Sequence, residues 1–181
     1  AEYYGSTALS KNPSSTSLFW GMAVEGGNNP VEIQLRFMNN ASGVLQKDTI
    51  ITEVFALDPV ISIDSAGNSL VAWSQSSNSD SMMYAALGPP NAQGKRNQTV
   101  IPPRKLIGSF FKEENPPAPH LFRPYDLAPL ENGKFVFVYS RGGRVYSRLI
   151  TIPHDTLAAS VGSAILISPT GHNARWPSVS V

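Results

Sequence analysis

The sequence contains no cysteine, which excludes a disulfide-stabilised scaffold, a thiol nucleophile and any thiolate metal site. Charged residues are scarce: they form 15% of the chain, where roughly a quarter is usual. Basic and acidic residues nearly cancel, and a net charge of +1 does not favour binding to nucleic acid or to an anionic membrane. The longest apolar runs, such as 135–139, have about five residues, whereas a membrane-spanning helix needs roughly 20.

Residues that favour turns are abundant instead. Ser, Asn, Gly and Pro together account for 63 of the 181 residues, and they are unfavourable in helix interiors. No window sustains apolar residues at helical spacing, and the best helical candidate, 155–161, is short and ends at Gly162. Because 41% of the residues are still apolar, a packed core is expected. The sequence therefore predicts an all-β fold.

A pattern of two strands joined by a turn recurs along the chain. Its two clearest copies begin at Pro59 and Pro124 and end at the aromatic residues Trp73 and Tyr139, 14 and 15 positions later. A looser first copy ends at Trp20, and a further copy begins at residue 176. Two more strand candidates follow each hairpin. The third strands are predicted at 31–38, 82–87 and 144–150, and the fourth strands at 48–54, 98–101 and 163–168.

Four short strands in each unit of about 53 to 66 residues are typical of a β-propeller blade. A four-stranded sheet exposes two apolar faces, and stacking sheets side by side buries both. Trp20, Trp73 and Tyr139 are the predicted fillers between neighbouring sheets. We predict three antiparallel blades at about 1–57, 58–122 and 123–175, with 176–181 opening a further blade. A β-sandwich is the alternative.

A closed propeller has typically about four to eight blades, so three blades do not complete a ring. We therefore expect the chain to be part of a larger ring. The partners that complete it would be the remaining blades of the same protein or neighbouring subunits.

The run Ser-Ile-Asp-Ser-Ala-Gly-Asn from Ser62 to Asn68, followed by Trp73, resembles the repeat units of secreted bacterial-type β-propellers. It is also similar to the Asp-box of sialidases, which has Ser, Asp, Gly and Trp in that order. Here an extra residue precedes the glycine, the tryptophan comes late, and the turn joins the first two strands of the unit rather than the last two. The resemblance implies a propeller and transfers no catalytic residue to this chain.

No residue pattern indicates a cofactor, although Ca²⁺ at the turn that begins with Asp64 is kept as an alternative. His120, His154 and His172 are scattered, without the close pairing that metal sites use. The turn lacks the twelve-residue Ca²⁺ loop pattern, and an Asx-type turn with Gly67 at positive φ accounts for it.

The sequence favours a protein without enzymatic activity, and an enzyme is kept as the alternative. It has no Gly-x-Ser-x-Gly nucleophile elbow, and no spacing brings two of its acidic residues together. The Arg-Gly-Gly-Arg run 141–144 resembles an RNA-binding element, but between two strands it predicts a hairpin turn with both glycines at positive φ. No nucleic-acid partner is predicted.

The long irregular segment 87–122 is the predicted partner-binding region, because long loops on a rigid scaffold often bind ligands. Its candidate contact residues are Lys95, Arg96, Phe110 and Phe111. The phenylalanines could equally fold back onto the blades.

Asn40 and Asn97 lie in Asn-x-Ser/Thr sequons in predicted loops and are glycosylation candidates. We expect an extracellular or cell-surface glycoprotein that acts as a binding or structural module, with protein or glycan partners. The alternative is the non-catalytic part of a secreted carbohydrate-active enzyme, such as a sialidase-like glycoside hydrolase.

Charge is unevenly distributed: residues 1–80 carry a net charge of −5 and residues 81–181 a net charge of +6. This difference is consistent with a head-to-tail contact between an acidic and a basic blade. Drift in surface composition is the simpler interpretation.

Overall fold

The computed structural model describes residues 5–11, 18–26, 32–39, 44–50, 56–75, 81–87, 100–107, 125–152, 159–169, 171, 173–175 and 177–181. Among these, only the backbone is described for residues 5–58, 75, 87 and 100–105. The described residues form β-strands and no helix, which confirms the all-β prediction for this part of the chain. These residues therefore contain no helix that is long and apolar enough to cross a membrane.

Thirteen strands are described. They are β1 Gly5–Lys11, β2 Leu18–Gly26, β3 Glu32–Asn39, β4 Val44–Ile50, β5 Ala56–Ile63, β6 Ser69–Gln75, β7 Ser81–Leu87, β8 Val100–Ile107, β9 Tyr125–Pro129, β10 Lys134–Arg141, β11 Arg144–Thr151, β12 Ser160–Val161 and β13 Ile165–Leu166.

The strands form three antiparallel sheets, each made from strands that are consecutive in the chain. The first sheet has the order β1-β2-β3-β4, and the second has the order β5-β6-β7-β8. The third has β9, β10 and β11 in order, with β12 and β13 both pairing with β11. Every neighbouring pair is antiparallel, so each sheet is a meander.

The predicted fourth strands differ from the observed ones in extent. β4 begins at Val44, before the predicted start at 48, and β8 runs to Ile107, past the predicted end at 101. The prediction ended the strand at Pro102-Pro103 because proline cannot donate a backbone hydrogen bond. β8 is an edge strand, in which a backbone nitrogen that faces away from the sheet has no strand to donate to. Both prolines are therefore tolerated there.

The fourth strand of the third sheet is interrupted rather than continuous over 163–168. Ile150 pairs with Val161 and Ser147 pairs with Ile165, so the edge strand has one more residue than β11 between these pairs. An extra residue of this kind is a β-bulge. Ser160 and Val161 therefore belong to a strand, not to the short helical candidate.

Two hairpin turns in the third sheet rely on positive φ. Gly142 and Gly143, with φ of 57° and 68°, form the two-residue loop that joins the paired residues Arg141 and Arg144. This confirms the predicted hairpin turn at the Arg-Gly-Gly-Arg run. Asn132 and Gly133, with φ of 60° and 70°, lie between β9 and β10. Both pairs match the type I′ turn, whose twist suits antiparallel strands.

Among the residues whose side chains are described, a hydrophobic core lies between the second and third sheets, which contribute side chains from facing strands. The second sheet provides Val60, Leu70, Ala72, Met82, Tyr84, Ala86, Leu106 and Ile107, and the third provides Tyr125, Leu127, Phe135, Phe137, Tyr139 and Ile150. Aromatic rings form a row across the third sheet: Phe137 lies 6.0 Å from Tyr125 and 5.6 Å from Tyr139, and Tyr139 stacks on Tyr146 at 5.5 Å.

The hairpins of the second and third sheets correspond residue by residue. Asp64 N donates to Asn68 O at 2.9 Å, and Leu130 N donates to Lys134 O at 2.7 Å, so Asp64 corresponds to Leu130. By the same offset Trp73 corresponds to Tyr139. The Tyr139 face of the third sheet packs against the second sheet. Trp73 is fully buried on the face of the second sheet opposite to Ala72, away from the third sheet.

The first strands of the sheets contact one another in series. β5 contacts β1 and β2 of the first sheet, and it also contacts β9 of the third sheet. The second sheet therefore has the first and third sheets as neighbours.

Candidate functional site

The most constrained polar group in the described region is the carboxylate of Asp64, directly after β5. Its side chain is only 1% exposed. Oδ1 accepts hydrogen bonds from Ala66 N at 3.0 Å and from Asn68 N at 2.8 Å. Oδ2 accepts from Asn68 Nδ2 at 2.7 Å. These bonds close an Asx turn, in which Gly67 has φ of 89°, as the sequence predicts.

Asp64 also binds the neighbouring sheet. Its Oδ2 accepts a hydrogen bond from the backbone N of Gly133, at 2.9 Å, in the turn between β9 and β10. A buried carboxylate is stable only when hydrogen-bond donors replace its lost hydration, and here the donors come from two hairpins. We call Asp64, Asn68 and Gly133 the intersheet junction. It fixes the turn of one sheet against the turn of the next.

Gly133 is the residue that this junction requires. A Cβ at this position would lie 2.6 Å from the carbonyl oxygen of Ile152, and φ of 70° is unfavourable for a residue with a side chain. The Gly133 carbonyl in turn accepts from Ile152 N at 2.8 Å. The peptide groups on both sides of Gly133 are therefore held, one by Asp64 and one by Ile152.

A second carboxylate, Asp126 on β9, fixes residues 177–181 to the third sheet. Oδ2 accepts from Ser178 Oγ at 3.1 Å and from Val179 N at 3.0 Å, and Oδ1 accepts from Leu127 N at 2.9 Å. Asp126 pairs with Val138, on the face opposite to the core. We call this the distal face of the third sheet.

The distal face is apolar and only partly covered. Val138 is buried, but Leu149 on β11 is 42% exposed and Ile165 on β13 is 62% exposed. Because Ile165 pairs with Ser147, two positions from Leu149, both lie on this face. By the hairpin correspondence, Val136 and Val138 occupy the positions of Leu70 and Ala72, which pack in the core between the second and third sheets.

The predicted site residues fall into two groups. Lys95, Arg96, Phe110, Phe111, Asn40, Asn97 and the three histidines lie outside the described residues. Trp20 lies in β2, paired with Leu9 and Met38. Trp73 is fully buried, and its Nε1 has no hydrogen-bond partner in the described part of the chain. Tyr139 is buried in the core beside Phe137.

The residues with described side chains include no group of three or more His, Cys, Asp or Glu that could hold a metal ion. At Asp64, N–H donors contact both carboxylate oxygens, as in an Asx turn, and Ca²⁺ at this turn stays a prediction. The chemistry that this carboxylate supports is hydrogen-bonded cross-linking of two sheets.

The sequence predicts the Asx turn of the junction but not the hydrogen bond that joins this turn to the third sheet. Asp64 and Gly67 indicate an Asx turn, but nothing in the sequence links Asp64 to Gly133, which lies 69 positions later. The anchoring role of Asp126 is also absent from the predictions. The one available signal is that Ser178 and Val179 lie in the fourth copy of the repeat, which begins at residue 176.

Comparison with protein-family models, with curated proteins and with solved structures finds no match for this chain in any of the three.

Proposed function

We propose that this chain forms consecutive blades of a β-propeller and serves as an extracellular binding or structural scaffold. The observation that carries the proposal is the relation between the second and third sheets. Each is a meander of consecutive strands, and corresponding hairpins stack with their turns joined by Asp64 and Gly133. A repeated stacking step of this kind is the building principle of a propeller.

Contacts between first strands favour the propeller over the β-sandwich. β5 contacts both β1 and β9, and residues 177–181 contact β9 through Asp126. In a propeller the corresponding strands of successive blades surround a common axis and meet in this order. In a sandwich two sheets face each other, and a second sheet with neighbours in series is not expected.

The distal face of the third sheet is the proposed contact for a further blade. It carries apolar residues at the positions that the second sheet uses to pack against the third, and its outer part, with Leu149 and Ile165, is exposed. Residues 177–181 already lie on this face at Asp126. The covering sheet would come from the same protein or from a neighbouring subunit.

The scaffold function is supported by how the described acidic residues are used. Asp64 and Asp126 accept hydrogen bonds that hold backbone segments together. Rigid sheets of this kind present loops for recognition. The loop that contains Lys95, Arg96, Phe110 and Phe111 is the proposed contact for a protein or glycan partner, and Asn40 and Asn97 are the proposed glycosylation sites.

The second candidate is the non-catalytic part of a secreted carbohydrate-active enzyme. The observation that favours it is the Asp-box-like run itself: Asp64 closes the turn, Gly67 has positive φ, and Trp73 is buried in β6, the strand that follows the turn. In this case the loops would bind sugar next to a catalytic domain.

Glycan binding and glycoside hydrolysis, measured on the whole folded chain, test the proposal. The probes are immobilised sialylated and neutral oligosaccharides and a set of fluorogenic aryl glycosides. We expect that the double variant F110A/F111A weakens any glycan binding, whereas R144A, at an exposed position of the third sheet outside the distal face, does not. Hydrolysis of an aryl glycoside by the wild-type chain, above the buffer rate, would contradict the scaffold.

A further inference from the structure

The turn between β9 and β10 contains the single Asn-Gly pair of the sequence, Asn132-Gly133. In such a pair the glycine nitrogen can attack the asparagine side chain with little steric hindrance, because glycine has no Cβ. Asn132 is exposed to solvent, so water can reach its amide. The turn therefore has the composition and the solvent access that spontaneous deamidation requires.

The folded turn opposes this reaction. The attacking atom, Gly133 N, donates its proton to Asp64 Oδ2 at 2.9 Å, and the carboxylate keeps that proton on the nitrogen. Asn132 has φ of 60°. In the left-handed conformation of this turn ψ is about 30 to 60°, which turns the following nitrogen away from the Asn132 side chain. Cyclisation would require the Asn132–Gly133 peptide to rotate, which breaks the bond to Asp64.

We propose that Asn132 is a latent deamidation site whose reactivity is controlled by the contact between the second and third sheets. When the junction opens, Gly133 N forms a bond to Asn132 Cγ while the bond from Cγ to Nδ2 breaks. The Gly133 amide proton passes to solvent base, and the side-chain nitrogen accepts a proton from water and leaves as ammonia. Water then opens the cyclic imide at either carbonyl, which leaves aspartate or isoaspartate at position 132. The reaction needs no oxidant or reductant.

Isoaspartate would prevent the junction from closing again. It routes the main chain through Cγ and so lengthens the turn by one methylene group. The hydrogen bond from Leu130 N to Lys134 O, 2.7 Å long, spans this turn, and the bond from Gly133 N to Asp64 depends on the same geometry. Isoaspartate at position 132 is thus a lasting covalent product of the separation of the two sheets.

The test compares deamidation in the full folded chain and in the same chain unfolded in urea, both at mildly alkaline pH. Peptide mass spectrometry gives the fraction of acid at position 132, and Asn173, exposed outside the junction and followed by Ala174, is an internal reference. We expect Asn132 to react roughly tenfold or more slowly in the folded chain, the factor that one hydrogen bond to a charged group represents.

Two variants separate the junction from general stability. D64N keeps the side-chain shape but replaces the Oδ2 acceptor by an amide donor, and we expect deamidation at position 132 to accelerate severalfold. D126N makes the same chemical change at the carboxylate that holds residues 177–181, and we expect the wild-type rate. Equal rates in the folded and unfolded wild type would overturn the proposal, as would a wild-type rate in folded D64N.

If D64N does not fold, the wild type in a series of sub-denaturing urea concentrations gives the answer. Hydrogen exchange at the Gly133 amide then reports how often the junction opens. We expect the deamidation rate at position 132 to rise in parallel with that exchange. A deamidation rate that stays constant while the exchange rises would overturn the proposal.

Discussion

At the scale of single residues, the junction depends on one carboxylate and one glycine that lie in different sheets. Asp64 is buried and accepts hydrogen bonds from its own turn and from Gly133. The equivalent of Asp64 in the third sheet is Leu130, which has no acceptor in its side chain. The third sheet therefore cannot repeat this polar link from the corresponding position, and Asp126 fixes the next segment in a different way.

Gly133 can be compared with Gly171, which has positive φ as well but open space around it. Both residues are in the left-handed region, with φ of 70° and 86°. A Cβ at Gly133 meets the Ile152 carbonyl oxygen at 2.6 Å, whereas a Cβ at Gly171 has nothing within 4 Å. We expect G171A to lower the free energy of unfolding by about 1 kcal/mol, the cost of a side chain at positive φ.

G133A adds the clash to the same φ penalty, and it displaces the peptide that binds Asp64. We expect it to lower the free energy of unfolding by roughly 3 kcal/mol or more. Urea denaturation followed by tryptophan fluorescence measures both variants. Losses in the two variants that agree within about 0.5 kcal/mol would show that the close approach at Gly133 has no energetic weight.

At the scale of strands and turns, the sequence predicts what is local. The paired glycines 142 and 143 and the Asx turn at Asp64 each depend on neighbouring residues only. The sequence does not show where an edge strand ends, because Pro102-Pro103 reads as a break unless the strand is known to lie at an edge. Nor does it show the bulge between β12 and β13, which is set by the pairing with β11.

The intersheet contacts could not be predicted for the same reason. Asp64 and Gly133 meet because two sheets stack, and neither residue carries a local signal for the other. The repeat does predict that corresponding strands exist in each unit. Which face of each sheet packs on which neighbour becomes visible only in three dimensions, where Leu70 and Phe137 belong to one core.

β10 offers a direct test of its two faces. Phe137 is fully buried in the core between the sheets, whereas its neighbour Val136 is only half-buried on the distal face. We expect F137A to lower the free energy of unfolding by about 3–5 kcal/mol, and V136A by about 1 kcal/mol or less, as measured by urea denaturation. Similar losses in the two variants would mean that the core does not lie on the Phe137 face.

At the scale of the whole molecule, the three sheets follow one another in the order of the chain. The second sheet has neighbours on two sides: β5 contacts the first sheet through β1 and β2 and the third sheet through β9. Under the proposed function, the apolar distal face of the third sheet continues this series. A propeller and a β-sandwich differ in the distance between neighbouring sheets. In a propeller this distance increases from the strands near the axis to the outer strands, whereas in a sandwich it stays about constant across the sheets.

Distances between spin labels on introduced cysteines test this difference most directly. The chain has no cysteine of its own, so the labels attach only at the introduced positions. One labelled pair joins the turns at the first strands, Ala66 and Glu131, and the other joins the outer edges, Lys105 in β8 and Ser163 beside β13. Pulsed electron–electron double resonance on the folded chain measures both label-to-label distances. The propeller predicts that the outer pair is farther apart by about 10 Å, roughly one sheet spacing. Equal distances for the two pairs would contradict the propeller and favour the sandwich.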